Sequence, residues 1–351
     1  MTGIESNEVE VKKGEERKIV AMMKAESTDS SLSDRVATKG PSFVRLLDTI
    51  EEGDTVIVYV SFGSMYPIVV KRGMSITMKF GQLRHEFLIG KQWGSRVTTT
   101  AGYIYALRPT CDLWTRCLPK RTQILYTPDV SLILSLLDVC GGSVVAESGT
   151  GSGSLSHAIA MAVLPHGHLY THDIDESRTR KVEQEFKEHG LSHVTTAVVQ
   201  NVCIEGFFVE NSCDGVFLDV PSPWEAVNGA ARALSRPRGG RLVSFSPCIE
   251  QVQRTALMMK EVGFIHIETI EIVPRQLLVV DERKQSLSHF CANGDMDECA
   301  PGKGRKRKIP SGGHLEENEE DIVSTTIISP STQPTHTGYL TCATMLPRVD
   351  E

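Results

Sequence analysis

Between Thr55 and Leu107 apolar and polar residues alternate in short runs rich in β-branched and aromatic side chains, a period of two that predicts strands. The runs are Thr55 to Val60, Tyr66 to Val70, Ser75 to Phe80, Arg96 to Thr100 and Gly102 to Leu107, with glycines at 53, 63, 73, 81 and 94 between them. They predict a small, barrel-like β domain, which serves either to position a polymer or partner or as a structural cap. From Thr127 the period lengthens. A helix starts there, with Pro128 at its first turn, and ends by Gly141 and Gly142. Strands then alternate with amphipathic helices. The predicted strands are the apolar run from Val144 that ends just before Glu147, then His168 to Asp173, Val194 to Val199, Gly215 to Asp219, Arg241 to Phe245 and Ile265 to Val273. The predicted helices are Ser154 to Val163, Glu176 to Glu188, Trp224 to Leu234 and Ile249 to Glu261. Such alternation implies an α/β fold, Rossmann-like, with a largely parallel sheet and a ligand at the carboxyl ends of its strands. A last strand, Tyr339 to Met345, fits the closing edge of that sheet.

The polar stretches set the boundaries. Residues 1–40 contain no Phe, Tyr or Trp, so they bury too little apolar surface to offset ordering entropy and are expected to be a disordered extension. Residues 41–110 form the β domain, 108–126 link the halves, and 111–280 with 336–347 form the α/β domain. Residues 281–335 read as a disordered charged insert. Within that insert lies the basic run Lys303 to Lys308, followed by the acidic Glu316 to Asp321. It reads either as a solvated charge run or as a nuclear import signal, and the expected location is the nucleus.

With 351 residues and 40% hydrophobic content the chain can bury a full core. No apolar run is long enough to span a membrane, and the charged start, Met1 to Lys18, lacks the apolar centre of a secretory leader. The nine cysteines include no Cys-x-x-Cys pair, so they read as reduced core residues and no metal is expected. A net charge of −7 excludes a uniformly basic surface. Between Lys79 and Arg121, however, eight Lys and Arg face two acids, which makes that segment either a solvated face or a contact for a polyanion.

The candidate chemistry begins at Glu147-Ser-Gly-Thr-Gly-Ser-Gly-Ser154, where a strand breaks into a glycine-rich loop and then a helix. Gly149, Gly151 and Gly153 allow a sharp turn and close backbone approach to a ligand, and the helix start offers free N–H groups. About 20 residues on, the next strand ends at Asp173, the usual place for a ribose acceptor. The pattern predicts a nucleotide-like cofactor. The dinucleotide spacing Gly-x-Gly-x-x-Gly is not met, and Glu147 would repel a pyrophosphate but suits the cationic S-adenosylmethionine. Hydride transfer with NAD is the weaker reading. Glu147, Asp173, Asn201 and Asp219 all fall at strand ends and are expected to meet in one cleft.

The second motif, Asp219-Val-Pro-Ser-Pro-Trp224, places a carboxylate in a loop stiffened by two prolines. Asp219 suits hydrogen bonding to an exocyclic amine of a flat substrate. Trp224 either packs at a domain interface or stacks on a base.

On Lys120 to Tyr126, Glu147 to Ser154, Asp219 to Ala226, Ser244 to Arg254 and His336 to Thr341, the chain resembles the catalytic subunit of the eukaryotic tRNA (adenine-N1)-methyltransferase that modifies adenine 58 in the T-loop. The resemblance covers about Ser42 to Leu346 apart from the insert. It implies a class I methyltransferase fold and S-adenosylmethionine as cofactor. It also implies cofactor contacts from Leu125, Glu147, Gly149, Gly151, Ser152, Gly153, Ser154, Asp173, Arg178, Asn201 and Val202, and Asp219 as the catalytic residue, lying against both cofactor and substrate adenine. Asp173 stands where many members have Glu, and Asn201 where they have Asp. The implied partners are tRNA and a related non-catalytic tRNA-binding subunit, in a two-plus-two heterotetramer. Two alternatives remain: a methyltransferase for another RNA or a protein, and a non-catalytic subunit, whose signature would be a damaged glycine loop.

Overall fold

The computed structural model describes residues 43–44, 48–273, 277–284, 322–330 and 337–348. The N-terminal extension and the basic run at 303–308 lie outside the described residues. The chain forms two units, Met1–Ile270 with Gly338–Glu351, and Glu271–Thr337.

In the first unit, β1 (Thr55–Ser61), β2 (Ser64–Val69), β5 (Arg96–Thr99) and β6 (Gly102–Leu107) form an antiparallel sheet in the order β2-β1-β6-β5. The expected barrel-like domain is thus a four-stranded sheet with a separate hairpin, β3 (Ser75–Met78) and β4 (Gly81–Arg84), bound to the β5–β6 turn through Ala101 N–H donating to Phe80 O at 3.1 Å. Alternation along β6 buries Ile104 and Ala106 and exposes Tyr103 and Tyr105. The buried pair joins Val56, Val58, Ile68, Leu83 and Val97 in one core. Strand β4 was hidden in the sequence because Gly81-Gln-Leu-Arg84 holds a single apolar residue, Leu83.

The linker is not irregular. It contains α1 (Cys111–Cys117), capped by Thr110, whose hydroxyl accepts from Leu113 N–H at 3.2 Å, and Trp114 on it is buried. Helix α2 (Thr127–Leu136) stops short of the predicted glycines, because Asp138 takes a left-handed turn (φ 56°) and Val139 N–H closes onto Leu134 O.

The remaining elements alternate: β7 (Val144–Ser148), α3 (Ser154–Val163), β8 (His168–Asp173), α4 (Glu176–Glu188), β9 (Thr195–Val199), α5 (Val202–Glu205), β10 (Gly215–Leu218), α6 (Pro223–Ala233), β11 (Gly240–Ser246), α7 (Ile249–Val262), β12 (Ile265–Glu271) and, later, β15 (Tyr339–Met345). The sheet order is β12-β15-β11-β10-β7-β8-β9, with β7 to β11 parallel and β15 antiparallel to β11. β15 therefore does not close the edge, as the sequence suggested, but enters between β11 and β12. Its residues are mostly buried on both faces, whereas β12 shows the half-buried and exposed positions of an edge strand. All of β10 is buried, at the centre.

The second unit contains β13 (Leu278–Lys284) and β14 (Ile322–Ile328), paired antiparallel from Leu278 opposite Ile328 to Lys284 opposite Ile322. This corrects the reading of 281–335 as disordered throughout. The β-branched run Ile322-Val-Ser-Thr-Thr-Ile-Ile328 pairs as a strand despite the acidic and Ser/Pro-rich composition around it.

Candidate active site

The glycine-rich loop leaves β7 and turns through three left-handed residues, Gly149 (φ 98°), Gly151 (φ 54°) and Gly153 (φ 80°). At Gly149 both reasons for glycine apply. The backbone sits where L side chains rarely go, and a Cβ would fall well inside van der Waals contact with the Asp219 carbonyl oxygen. Asp219 N–H in turn donates to Ser148 O at 2.8 Å, so the loop after β10 is held against the loop after β7. On the other side, Ser152 Oγ accepts from Arg121 N–H (2.7 Å) and Thr122 N–H (3.1 Å), and Ser154 Oγ donates to Leu125 O (3.1 Å). These bonds fasten the 121–125 segment over the loop.

A cleft opens between these pieces. Of the residues predicted from sequence, Leu125, Glu147, Gly149, Gly151, Ser152, Ser154 and Asp219 line it. Gln123, Ile124, Thr150, Leu155 and Phe217 complete it. Glu147 is 1% exposed and its carboxylate accepts from Ser156 Oγ at 2.6 Å. Burial raises its pKa to about 7, opposed by hydrogen bonds from Ser156 and Thr171 and reinforced by the charges of Asp219 and Asp173. Burial likewise pushes the Asp219 carboxyl up to about 6. Among the described residues no Lys or Arg lines the cleft. Two desolvated carboxylates without a cation are the donor set for a positively charged ligand. S-adenosylmethionine, with its sulfonium and ammonium charges, fits that cleft.

The other predicted residues stand behind or beside it. Gly153 caps α3, and its carbonyl accepts from His157 Nδ1–H at 2.6 Å. Asp173 takes four bonds, from Gly151 N–H (2.9 Å), Asp175 N–H (2.9 Å), Arg178 Nη2 (2.7 Å) and Arg178 Nε (3.3 Å). Arg178 thus reaches the site through Asp173, and the ion pair secures the glycine loop. Asn201 caps α5 by accepting from Cys203 N–H at 3.1 Å, and the Val202 side chain is part of the core. The expected convergence holds for Glu147 and Asp219 in the cleft; Asp173 reaches it through Gly151, and Asn201 lies one strand end further along.

Sequence reasoning missed His172. Its backbone oxygen accepts from both Gly149 N–H (2.9 Å) and Thr150 N–H (3.2 Å). Its ring donates from Nδ1 to Glu147 O (2.8 Å) and accepts at Nε2 from Phe208 N–H (3.1 Å). Those partners require the neutral Nδ1–H tautomer, and burial lowers its pKa accordingly. Ser156 was missed as well, since a serine inside an apolar helix reads as neutral filler until its partner Glu147 is placed beneath it.

The sheet order with an inserted antiparallel strand, the glycine loop and the carboxylate at the end of β7 define an S-adenosylmethionine-dependent methyltransferase of the open α/β class. Residues 102–345 match the family model described as tRNA methyltransferase complex GCD14 subunit, and the chain belongs to that family. It is 38% identical over 252 residues, 70% of this chain and 75% of the relative, to the tRNA (adenine(58)-N(1))-methyltransferase catalytic subunit TRM61 of Candida albicans. It is 36% identical over 312 residues, 85% of this chain and 97% of the relative, to the catalytic subunit trmt61a of Dictyostelium discoideum. A solved SAM-dependent O-methyltransferase from Thermotoga maritima superposes with a TM-score of 0.65 at 26% identity, covering 87% of this chain and 97% of that one.

Proposed function

We propose that this chain transfers the methyl group of S-adenosylmethionine to N1 of adenine 58 in the T-loop of tRNA, as the catalytic member of a complex with a related non-catalytic tRNA-binding subunit in a two-plus-two assembly. The observation that carries the catalytic reading is the pair of desolvated carboxylates, Glu147 and Asp219, facing one cleft with an intact glycine loop. The cofactor, when bound, supplies an electrophilic methyl group. Leu125, Glu147 and the 149–154 loop would hold it, with Asp173 and Arg178 acting through that loop; Asn201 and Val202, next to the cleft, are the further residues the cofactor reading assigns to it.

Asp219 accepts a hydrogen bond from the exocyclic amine of an adenine swung out of the T-loop and so aims the N1 lone pair along the line of displacement. Neutral N1 already carries that lone pair, so no general base is required. Alignment and exclusion of water lower the barrier, together with the field of the carboxylate near the developing positive charge on adenine. Trp224, in the first turn of α6 with the Arg254 guanidinium 5.1 Å from its ring centroid, is a packing residue.

The exposed apolar residues of the second unit, Leu277, Leu278, Val279, Ile327 and Ile328, support a protein partner, since a paired hairpin leaves them no cover within its own two strands. Asp219→Ala is expected to abolish methyl transfer while S-adenosylmethionine binding stays measurable, weakened by at most about tenfold because Glu147 keeps its buried carboxylate. Complete loss of cofactor binding together with activity would make Asp219 chiefly a cofactor or fold residue instead.

A further inference from the structure

Beside the cleft mouth, exposed aromatic rings and cations meet in a continuous strip. Phe62, in the β1–β2 turn, is 76% exposed, and the Arg116 guanidinium of α1 lies 5.1 Å from its ring centroid. Arg116 pairs with Asp112 at 3.0 Å, and Asp112 accepts from Thr127 Oγ1, which ties α1 to the start of α2. The residue before Thr127 is Tyr126, 40% exposed, with Lys120 Nζ at 3.2 Å from its hydroxyl and 5.2 Å from its ring centroid. Gln123, Ile124 and Leu125, between Lys120 and Tyr126, line the cleft itself. The strip therefore runs from the β domain to the rim of the catalytic cleft.

None of this is needed for the cofactor. A ring as large as Phe62 left in water is costly for a free chain, and a cation beside each ring adds attraction for phosphate. Alternating flat faces and cations are what unpaired nucleotides require, because every base has a stacking face and every linkage a negative charge. We propose that Phe62 and Tyr126 stack on unpaired bases flanking the target adenine, with Lys120 on an adjoining phosphate. This rests on the tRNA reading above and names the part of the chain that meets the RNA next to the flipped base. Arg116, its charge shared with Asp112, contributes mainly its flat face; Lys120 contributes charge.

The test uses the chain with its partner subunit and a dye-labelled T-arm hairpin, with a blunt duplex of equal length as the probe lacking unpaired bases, read by fluorescence anisotropy. Phe62→Ala and Tyr126→Leu are each expected to weaken hairpin binding at least about fivefold and to leave duplex and S-adenosylmethionine affinities unchanged. Lys120→Gln is expected to lower the slope of log affinity against log salt by about one. In turnover these variants should raise KM for tRNA with kcat held. Unchanged hairpin affinity and salt slope in all three variants would overturn the proposal. So would equal losses on hairpin and duplex, or loss of the partner subunit on purification, which would make the strip a protein interface. A wild-type complex that binds the hairpin through the strip yet transfers no methyl would count against the substrate reading and leave the strip standing.

Discussion

Glu147→Gln separates the cost of the buried charge from its use. The substitution keeps the side chain's size and its carbonyl acceptor for Ser156 Oγ, and removes the ability to ionise. In the ligand-free chain burial has moved the carboxyl from 4.5 to about 7. At 1.36 kcal/mol for each tenfold, that is about 3 kcal/mol of disfavoured ionisation once the pH exceeds 7. The sign follows from proton counting. Between about pH 4.5 and 7 the unfolded chain binds fewer protons at this site than the folded one, so the group's contribution to stability falls as pH rises through that window. At pH 8, therefore, Glu147→Gln should stabilise the ligand-free chain by about 1–3 kcal/mol, a rise of a few degrees in Tm. It should also weaken S-adenosylmethionine binding by about ten- to a hundredfold, because the cleft loses one of its two buried counter-charges. At pH 5.5 Glu147 is already protonated, and both differences should shrink. Differential scanning fluorimetry and titration calorimetry at the two pH values measure both effects. A variant that loses stability at pH 8 and binds the cofactor as wild type would refute the reasoning, leaving Glu147 as a structural acceptor for Ser156.

Three further outcomes are expected. Gly149→Ala combines a left-handed φ with a clash on the Asp219 carbonyl, so it should abolish cofactor binding, measured by calorimetry, while the small β domain keeps its fold. His172→Leu removes the ring's buried bond to the Glu147 carbonyl, at about 1–3 kcal/mol, together with its part-buried bond from Phe208 N–H, so Tm and cofactor affinity should fall together; unchanged affinity would show that the ring does not position the pocket. Replacing the basic residues of Lys303 to Lys308 with glutamine should move a fluorescent fusion from nucleus to cytoplasm in cells, with methyl transfer in vitro unaffected; an unchanged distribution would rule the run out as an import signal.

The fold was legible wherever periodicity was strong. Tyr339–Met345, Ser154–Val163, His168–Asp173 and Glu176–Glu188 fall where the pattern put them, because each carries enough buried side chains to fix its register. Position in the sheet was less legible. That β15 passes inside β12 depends on which strand covers both faces, and a seven-residue apolar run reads the same at an edge or in the interior. The cleft was legible through its glycines and the carboxylates Glu147 and Asp219, whose chemistry is written in residue type. What escaped was the support around them: the four donors on Asp173, the His172 ring bridging two loops, and Ser152 gripping the 121–122 backbone. The Gly151–Asp173, Ser152–Arg121 and His172–Phe208 contacts join residues 22 to 36 positions apart, and the identity of a single serine or histidine carries no period that announces its partner.

The most direct test of the central claim is methyl transfer from labelled S-adenosylmethionine to unmodified tRNA transcripts, using the chain alone and with its partner subunit, on wild-type tRNA and on a variant with guanine at position 58. Label is expected on the wild-type transcript only when the partner is present, with none on the guanine variant and none with Asp219→Ala. Cofactor binding without label in any mixture, or equal label on the guanine variant, would contradict the claim.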